Sequence, residues 1–209
     1  MIAIVLAAAG LTAMVDWWSV ATRNHRVETV AKPLVMIWLI IAALIIDADP
    51  TSARPWIVAG LVAGLAGDIF LLPNVDRFLA GLGAFLVGHV LYIGGLIQIR
   101  DGWELFIIGA VAGVALLSVI GRPIVLAVRG TSYFIPVTVY IGAVGALVVV
   151  GIATGRWVLA AGAVSFALSD ALLGSDRFVT PAPNHRVYVH VLYQLGQAGL
   201  VIGLSATFA

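Results

Sequence analysis

The chain reads as an all-α polytopic membrane protein, with about eight transmembrane helices arranged as two parallel four-helix internal repeats in a single domain over residues 1–209. Three observations predict this. Hydrophobic residues make up 62% of the 209 positions and charged ones 10%, with a mean hydropathy of +1.13, far outside the soluble globular range. Apolar runs close to the roughly 20 residues that a helix needs to cross a bilayer recur along the whole sequence. A set of rare polar residues also occurs twice at a near-constant offset.

The first run, 2–21, is apolar from Ile2 onward without a basic leader, so a span is expected rather than a cleaved signal, with Trp17 and Trp18 in an interfacial belt. The second, 33–46, is short and opens at Lys32-Pro33. The third, 55–72, closes on Gly67-Asp68, and the fourth, 78–99, carries His89-Val90-Leu91-Tyr92. The fifth spans 103–121, with Pro123 to Val128 as a possible extension, and the sixth 132–153. The seventh, 156–174, carries Ser169-Asp170; the eighth, 185–207, carries His190-Val191-Leu192-Tyr193 and Gln197. The pairs Gly60/Gly64, Gly109/Gly113 and Gly151/Gly155 suit close helix approach in lipid.

The tetrapeptide at His89 returns at His190, the Asp76-Arg77-Phe78 triplet at Asp176, and Asp68 at Asp170, with offsets of 101, 100 and 102 residues. Two of the four histidines and two of the five tyrosines thus fall at equivalent places. This predicts a duplication with halves of about 1–102 and 103–209. Spans 3–4 match spans 7–8, and an even offset of four helices preserves direction, so the halves are expected to be parallel.

Charge narrows function and orientation. The net charge is +1 with no long basic run, which leaves nucleic acid unsupported as a partner. The absence of cysteine removes disulfides, thiolate metal sites and a thiol nucleophile. Of the eleven Lys and Arg, Arg23, Arg26, Lys32, Arg77, Arg122, Arg129, Arg177 and Arg186 sort to odd-numbered loops, and only Arg54, Arg100 and Arg156 to even ones. The bias puts the odd loops in the cytoplasm and Asp68 and Asp170 toward that side, in a bacterial-type cytoplasmic membrane.

Eight of the ten acids fit in loops or, for Asp16, at an interface; Asp68 and Asp170 lie inside apolar runs. Intramembrane acids are costly and mark functional sites, although each could simply pair with a loop arginine. His190, Tyr193 and Gln197 share one helix face, and span 4 repeats this as His89 and Tyr92 with Leu96 in place of Gln197. A lone histidine is more often a hydrogen-bonded core residue than a ligand; repetition beside the acids favours a site. Two Asp and two His could also hold a divalent metal, but H-E-x-x-H is missing, and neither a metal nor a cofactor is expected. The serine elbow, P-loop and dinucleotide fingerprint are missing too. Ser165 and Ser169 read as hydrogen-bonding serines rather than nucleophiles.

The order and spacing of Lys32-Pro33-Leu34, Gly67-Asp68, Phe85-x3-His89-x2-Tyr92, Phe166-x2-Ser169-Asp170 and Tyr193-x3-Gln197 resemble the YhhN-type lysoplasmalogenases, multi-span membrane hydrolases. That family often has a serine where this chain has Gly64 and a second tyrosine where it has Gln194. The resemblance covers most of the chain. It implies hydrolysis of the vinyl ether bond of lysoplasmalogens to a fatty aldehyde and glycerophospho-ethanolamine or choline, with Asp68 and Asp170 catalytic.

The chemistry of the residues fits. Vinyl ether hydrolysis begins with protonation of an alkene carbon, and a carboxyl removed from water holds a proton for that step. A second carboxylate can stabilise the oxocarbenium ion and deprotonate water, as in glycosidases. His89, Tyr92, His190, Tyr193, Gln197 and Ser169 would support the pair, with Lys32, Arg77 or Arg177 near the phosphate of a single-chain ether phospholipid. A proton-coupled transporter with an acidic site between two repeats is the alternative, and a non-catalytic lipid-binding or scaffold protein a third. The sequence leaves the oligomeric state open.

Overall fold

In the computed structural model, which describes residues 1–208, the chain folds into eight helices. These are α1 (Ile2–Ala21), α2 (His25–Ile45), α3 (Arg54–Phe70), α4 (Phe78–Ile97), α5 (Glu104–Ala127), α6 (Phe134–Ala153), α7 (Trp157–Phe178) and α8 (His185–Ile202). There is no strand among the described residues. Seven of the helices are long and apolar enough to cross a bilayer. The exception, α8, has 18 residues and carries a polar stripe that lowers its hydropathy; His190, Tyr193, Gln194 and Gln197 on that stripe are buried in the bundle rather than facing lipid. The chain is an integral, multi-pass membrane protein.

Several boundaries differ from the sequence expectation: α7 runs on to Phe178 rather than 174, α8 stops at Ile202 rather than 207, and two further differences have plain physical reasons. Helix α2 starts at His25, not at Pro33, because the Asn24 side chain accepts from the Val27 N–H and because Glu28 and Lys32, read as loop charges, turn inward and are neutralised by partners from other helices. Helix α5 does continue through Arg122-Pro123 to Ala127, by way of a π-helical segment at Leu117–Gly121 that accommodates the proline.

Helix α1 packs on α2, α2 on α3, α3 on α4, α5 on α6, α6 on α7 and α7 on α8, while α4 meets α6 and α8 meets α1 and α2. Small residues make these approaches possible. A Cβ on Gly162 would stand 3.0 Å from the Gly196 carbonyl across the α7–α8 contact, and Gly109 and Gly113 admit Val149 of α6. Gly151 faces Ala163, but Gly155 is a turn residue at φ 70° rather than a packing position.

The connections α1–α2, α3–α4, α5–α6 and α7–α8 lie at one end of the bundle, with Arg23, Arg77 and Arg129 in them and Arg177 in the last turn of α7; this end is termed the basic face. The opposite end is tied together. Arg156 donates to the carbonyls of Gly203 and Leu204 at 3.1 Å each, the Asp49 N–H donates to the Leu204 carbonyl, and the Asp101 N–H to that of Ala153.

Candidate active site

Helix α3 delivers Asp68 two residues before its end, and the carboxyl is only 1% exposed. Its Oδ1 lies 3.2 Å from the Lys32 Nζ on α2, and its Oδ2 accepts from the Tyr193 hydroxyl of α8 at 2.9 Å. Gly64, one turn earlier, leaves room for this: a Cβ there would sit 3.2 Å from the Tyr193 oxygen and 3.1 Å from the Gln197 amide nitrogen. Gln197 accepts from the Tyr92 hydroxyl at 2.6 Å, so the tyrosines of the two matched tetrapeptides each donate to a buried group, Tyr92 to Gln197 and Tyr193 to Asp68.

Asp170 on α7 has different company. The Tyr140 hydroxyl of α6 donates to its Oδ2 at 2.9 Å, and the His89 Nε2 of α4 stands 3.4 Å from the same oxygen. The Nδ1 of His89 lies 2.8 Å from the Phe85 carbonyl, which can only accept, so Nδ1 bears a hydrogen. The buried Nε2 makes no hydrogen bond in this geometry, and Asp170 is its nearest acid. Asp68, in contrast, faces the Lys32 amine.

His190 does not repeat the position of His89. Its Nδ1 bonds the Asp16 Oδ2 at 2.8 Å, an oxygen that also accepts from the Gln194 amide at 2.7 Å. Its Nε2 lies 3.8 Å from Glu28, which accepts from Arg186 at 2.6 Å. Asp16, expected at an interface, is thus fully buried, and Glu28, expected in a loop, is the anchor of Arg186. Sequence reading missed Asp16, Glu28, Tyr140, Arg186 and Gln194. The signal for Asp16 was available, since it is an acid flanked by Val15 and two tryptophans in an apolar run; nothing distinguished Tyr140.

An open recess of about 610 Å³ reaches in from the basic face. Asp68 and Asp170 both line it, together with Lys32, Arg186, His190 and Tyr193, and Ser169 borders it while donating to the Val189 carbonyl. His89 lies behind Asp170 rather than on the wall. Arg77 and Arg177 are not on this wall: Arg77 is exposed at the start of α4, and the Arg177 guanidinium stacks 5.1 Å from the Phe78 ring centre, held there by the aromatic cluster of Phe78, Tyr133 and Phe178. The cations at the recess are Lys32 and Arg186.

Asp170 also borders a second space of about 550 Å³, an apolar groove between α4, α5, α6 and α7. With Leu173 it is common to both walls. Among the described residues no group of three or more His, Asp or Glu side chains converges at metal-binding spacing; His89 and His190 serve different carboxyls.

The family model of the YhhN family matches residues 27–204. A lysoplasmalogenase of Mycobacterium tuberculosis is 32% identical over 174 residues, which cover 78% of this chain and 65% of the relative. The chain thus spans about two thirds of the length of that curated relative. The membrane protein YhhN of Escherichia coli is 30% identical over 163 residues, covering 75% of this chain and 74% of the relative. A lysoplasmalogenase of Bos taurus is 28% identical over 187 residues, covering 83% and 75%. No solved structure matches the chain.

Proposed function

This chain belongs to the YhhN family, and on that premise we propose that it is a membrane hydrolase cleaving the vinyl ether bond of lysoplasmalogen-like single-chain lipids to a fatty aldehyde and glycerophospho-ethanolamine or choline. The observation that carries the reading is the pair of intramembrane carboxyls on one recess with unlike partners, Lys32 on Asp68 and His89 on Asp170. Unlike surroundings are what two carboxyls need in order to divide acid from base work.

In the proposed reaction Asp170, with His89 beside it, gives a proton to the alkene carbon remote from the ether oxygen, leaving an oxocarbenium ion. Asp68, ion-paired as a carboxylate, faces this cation and takes a proton from the attacking water, giving a hemiacetal. The hemiacetal collapses: the carbon–oxygen bond to the glycerol unit breaks, Asp68 returns its proton to the departing oxygen, and the hemiacetal hydroxyl proton restores the Asp170–His89 pair. One water is consumed and both carboxyls end as they began. Lys32, paired with Asp68, and Arg186, paired with Glu28 and about half exposed, are the N–H donors on this wall that would meet the phosphate.

The two-repeat arrangement belongs to the same proposal. It is supported by matching contacts in the two halves, α1–α2 with α5–α6, α2–α3 with α6–α7, and α3–α4 with α7–α8, and by the crossed pairs α2–α8 and α4–α6. Each carboxyl also takes a partner from the other half, Asp68 from Tyr193 and Asp170 from His89. The excess of Lys and Arg at the basic face favours a cytoplasmic opening. The hydrogen bonds of Arg156, Asp49 and Asp101 that tie the other end together support a one-sided site over a carrier.

The test is mass spectrometry of products after the purified protein is offered single-chain lipids with vinyl ether, alkyl ether and ester linkages. Aldehyde released from the vinyl ether lipid alone is expected. Unchanged lipid in all three arms would overturn the reading.

A further inference from the structure

The geometry points to the apolar groove as the seat of the substrate's single aliphatic chain, entered sideways from the lipid between α4 and α5. This rests on the hydrolase reading above and adds a binding site to it. Phe78 and Leu82 of α4 form one lip and Leu117 and Ile120 of α5 the other, over a floor of Tyr140 and Ile141. Helix α4 packs on α3 and α6, and α5 on α6 and, through Arg122–Ala127, on α7, with Leu82 against the cluster of Ile124, Val128 and Val137; this leaves the side between α4 and α5, along Leu116–Ile120, as the opening of the groove. The π-helical segment Leu117–Gly121 forms part of the α5 wall. From Ile124 to Leu116 the groove follows α5 for about 12 Å at the helical rise of 1.5 Å per residue.

The occupant follows from continuity and from polarity. A groove open to a membrane could hold any lipid tail, but this one meets the polar recess at Asp170, which with Leu173 lines both. A molecule that fills both spaces must be polar at one end, aliphatic at the other, and narrow where it passes the carboxyl. A single-chain phospholipid has that shape, and its first chain carbons, where a vinyl ether lies, would fall beside Asp170. A diacyl lipid would have to seat a second chain beside Asp170 or along the recess wall of Lys32, Arg186 and the carboxyls, where it would meet charge instead of apolar wall.

The test uses a lysophosphatidylethanolamine with a diazirine midway along its ester-linked chain, photolysed with the wild-type protein in nanodiscs, followed by peptide mapping. Label is expected on the segments 116–124 and 137–144, competed by excess unlabelled lysolipid and not by diacyl phosphatidylethanolamine. Ile120→Trp, which fills the groove, should lower that label about tenfold, the equivalent of roughly 1.4 kcal/mol. Val111→Trp, on the lipid-facing side of the same helix, should not. Label spread over lipid-facing surfaces without competition, or competed equally by the diacyl lipid, would overturn the inference. The ester probe does not depend on turnover: groove labelling without vinyl ether cleavage would sink the hydrolase reading alone, and cleavage with label elsewhere would sink the groove alone.

Discussion

The Tyr193 hydroxyl donates to Asp68 at 2.9 Å across 125 residues of sequence, so a carboxyl near the end of α3 is held in place by the last helix of the bundle. Removing that donor leaves a buried carboxylate oxygen short of a hydrogen bond, a cost of about 1–3 kcal/mol. Tyr193→Phe is therefore expected to keep the fold, lower the thermal midpoint, and slow turnover by about one to two powers of ten. Turnover equal to wild type would show that the contact is structural only.

Asp68→Asn and Asp170→Asn are both expected to abolish turnover, because an amide replaces neither a proton donor nor a base. Their stabilities should differ. Asp68→Asn strands the Lys32 ammonium in a buried place, which costs about 3 kcal/mol or more, whereas Asp170→Asn strands no cation. Adding Lys32→Met to Asp68→Asn should recover the stability and none of the activity. Thermal unfolding in detergent and aldehyde release read the two properties separately.

Arg186, not Arg77 or Arg177, stands on the wall of the recess. Arg186→Gln is expected to raise KM for a phospholipid at least about tenfold with a smaller change in kcat, the pattern of lost ground-state binding. Arg77→Gln and Arg177→Gln should leave both constants within about twofold, since neither side chain reaches that wall and exposed charges count for little. A larger effect from Arg177 would mean that the headgroup sits at the rim of the groove instead.

Proton transfer by the carboxyls themselves predicts that turnover survives prolonged EDTA or phenanthroline treatment. His89→Ala should be slowed yet active, as for a group that positions Asp170 rather than gripping an ion. Loss of activity on chelation, regained with zinc, would recast Asp170 and His89 as ligands.

The helices were legible because lipid imposes long apolar runs, and Asp68 and Asp170 stood out because an acid in such a run is rare. The recurring motifs marked both, and they do line one recess. What stayed hidden was the inward turn of charges at helix ends. Lys32, Glu28 and Arg186 read as loop residues because a sequence records a charge without its partner: Lys32 meets Asp68 of α3, and Arg186 meets Glu28 of α2, which also has His25 of its own helix at 3.2 Å. His190 shows the limit of repetition: the motif recurs, but Asp16 and Gln194 have no counterparts around His89, so the ring turns to Asp16 instead of Asp68. The π-helical segment in α5 left no mark beyond Pro123.

Asp170 stands where a polar recess and an apolar groove share a wall. On the proposed reaction, bond cleavage at that boundary would sort the two products at birth. The aldehyde would already lie in hydrocarbon, able to slip sideways into the leaflet, and the glycerophospho unit would already face the basic, solvated mouth. Neither would have to pass the other or cross the membrane to leave, so turnover would require no large opening of the bundle.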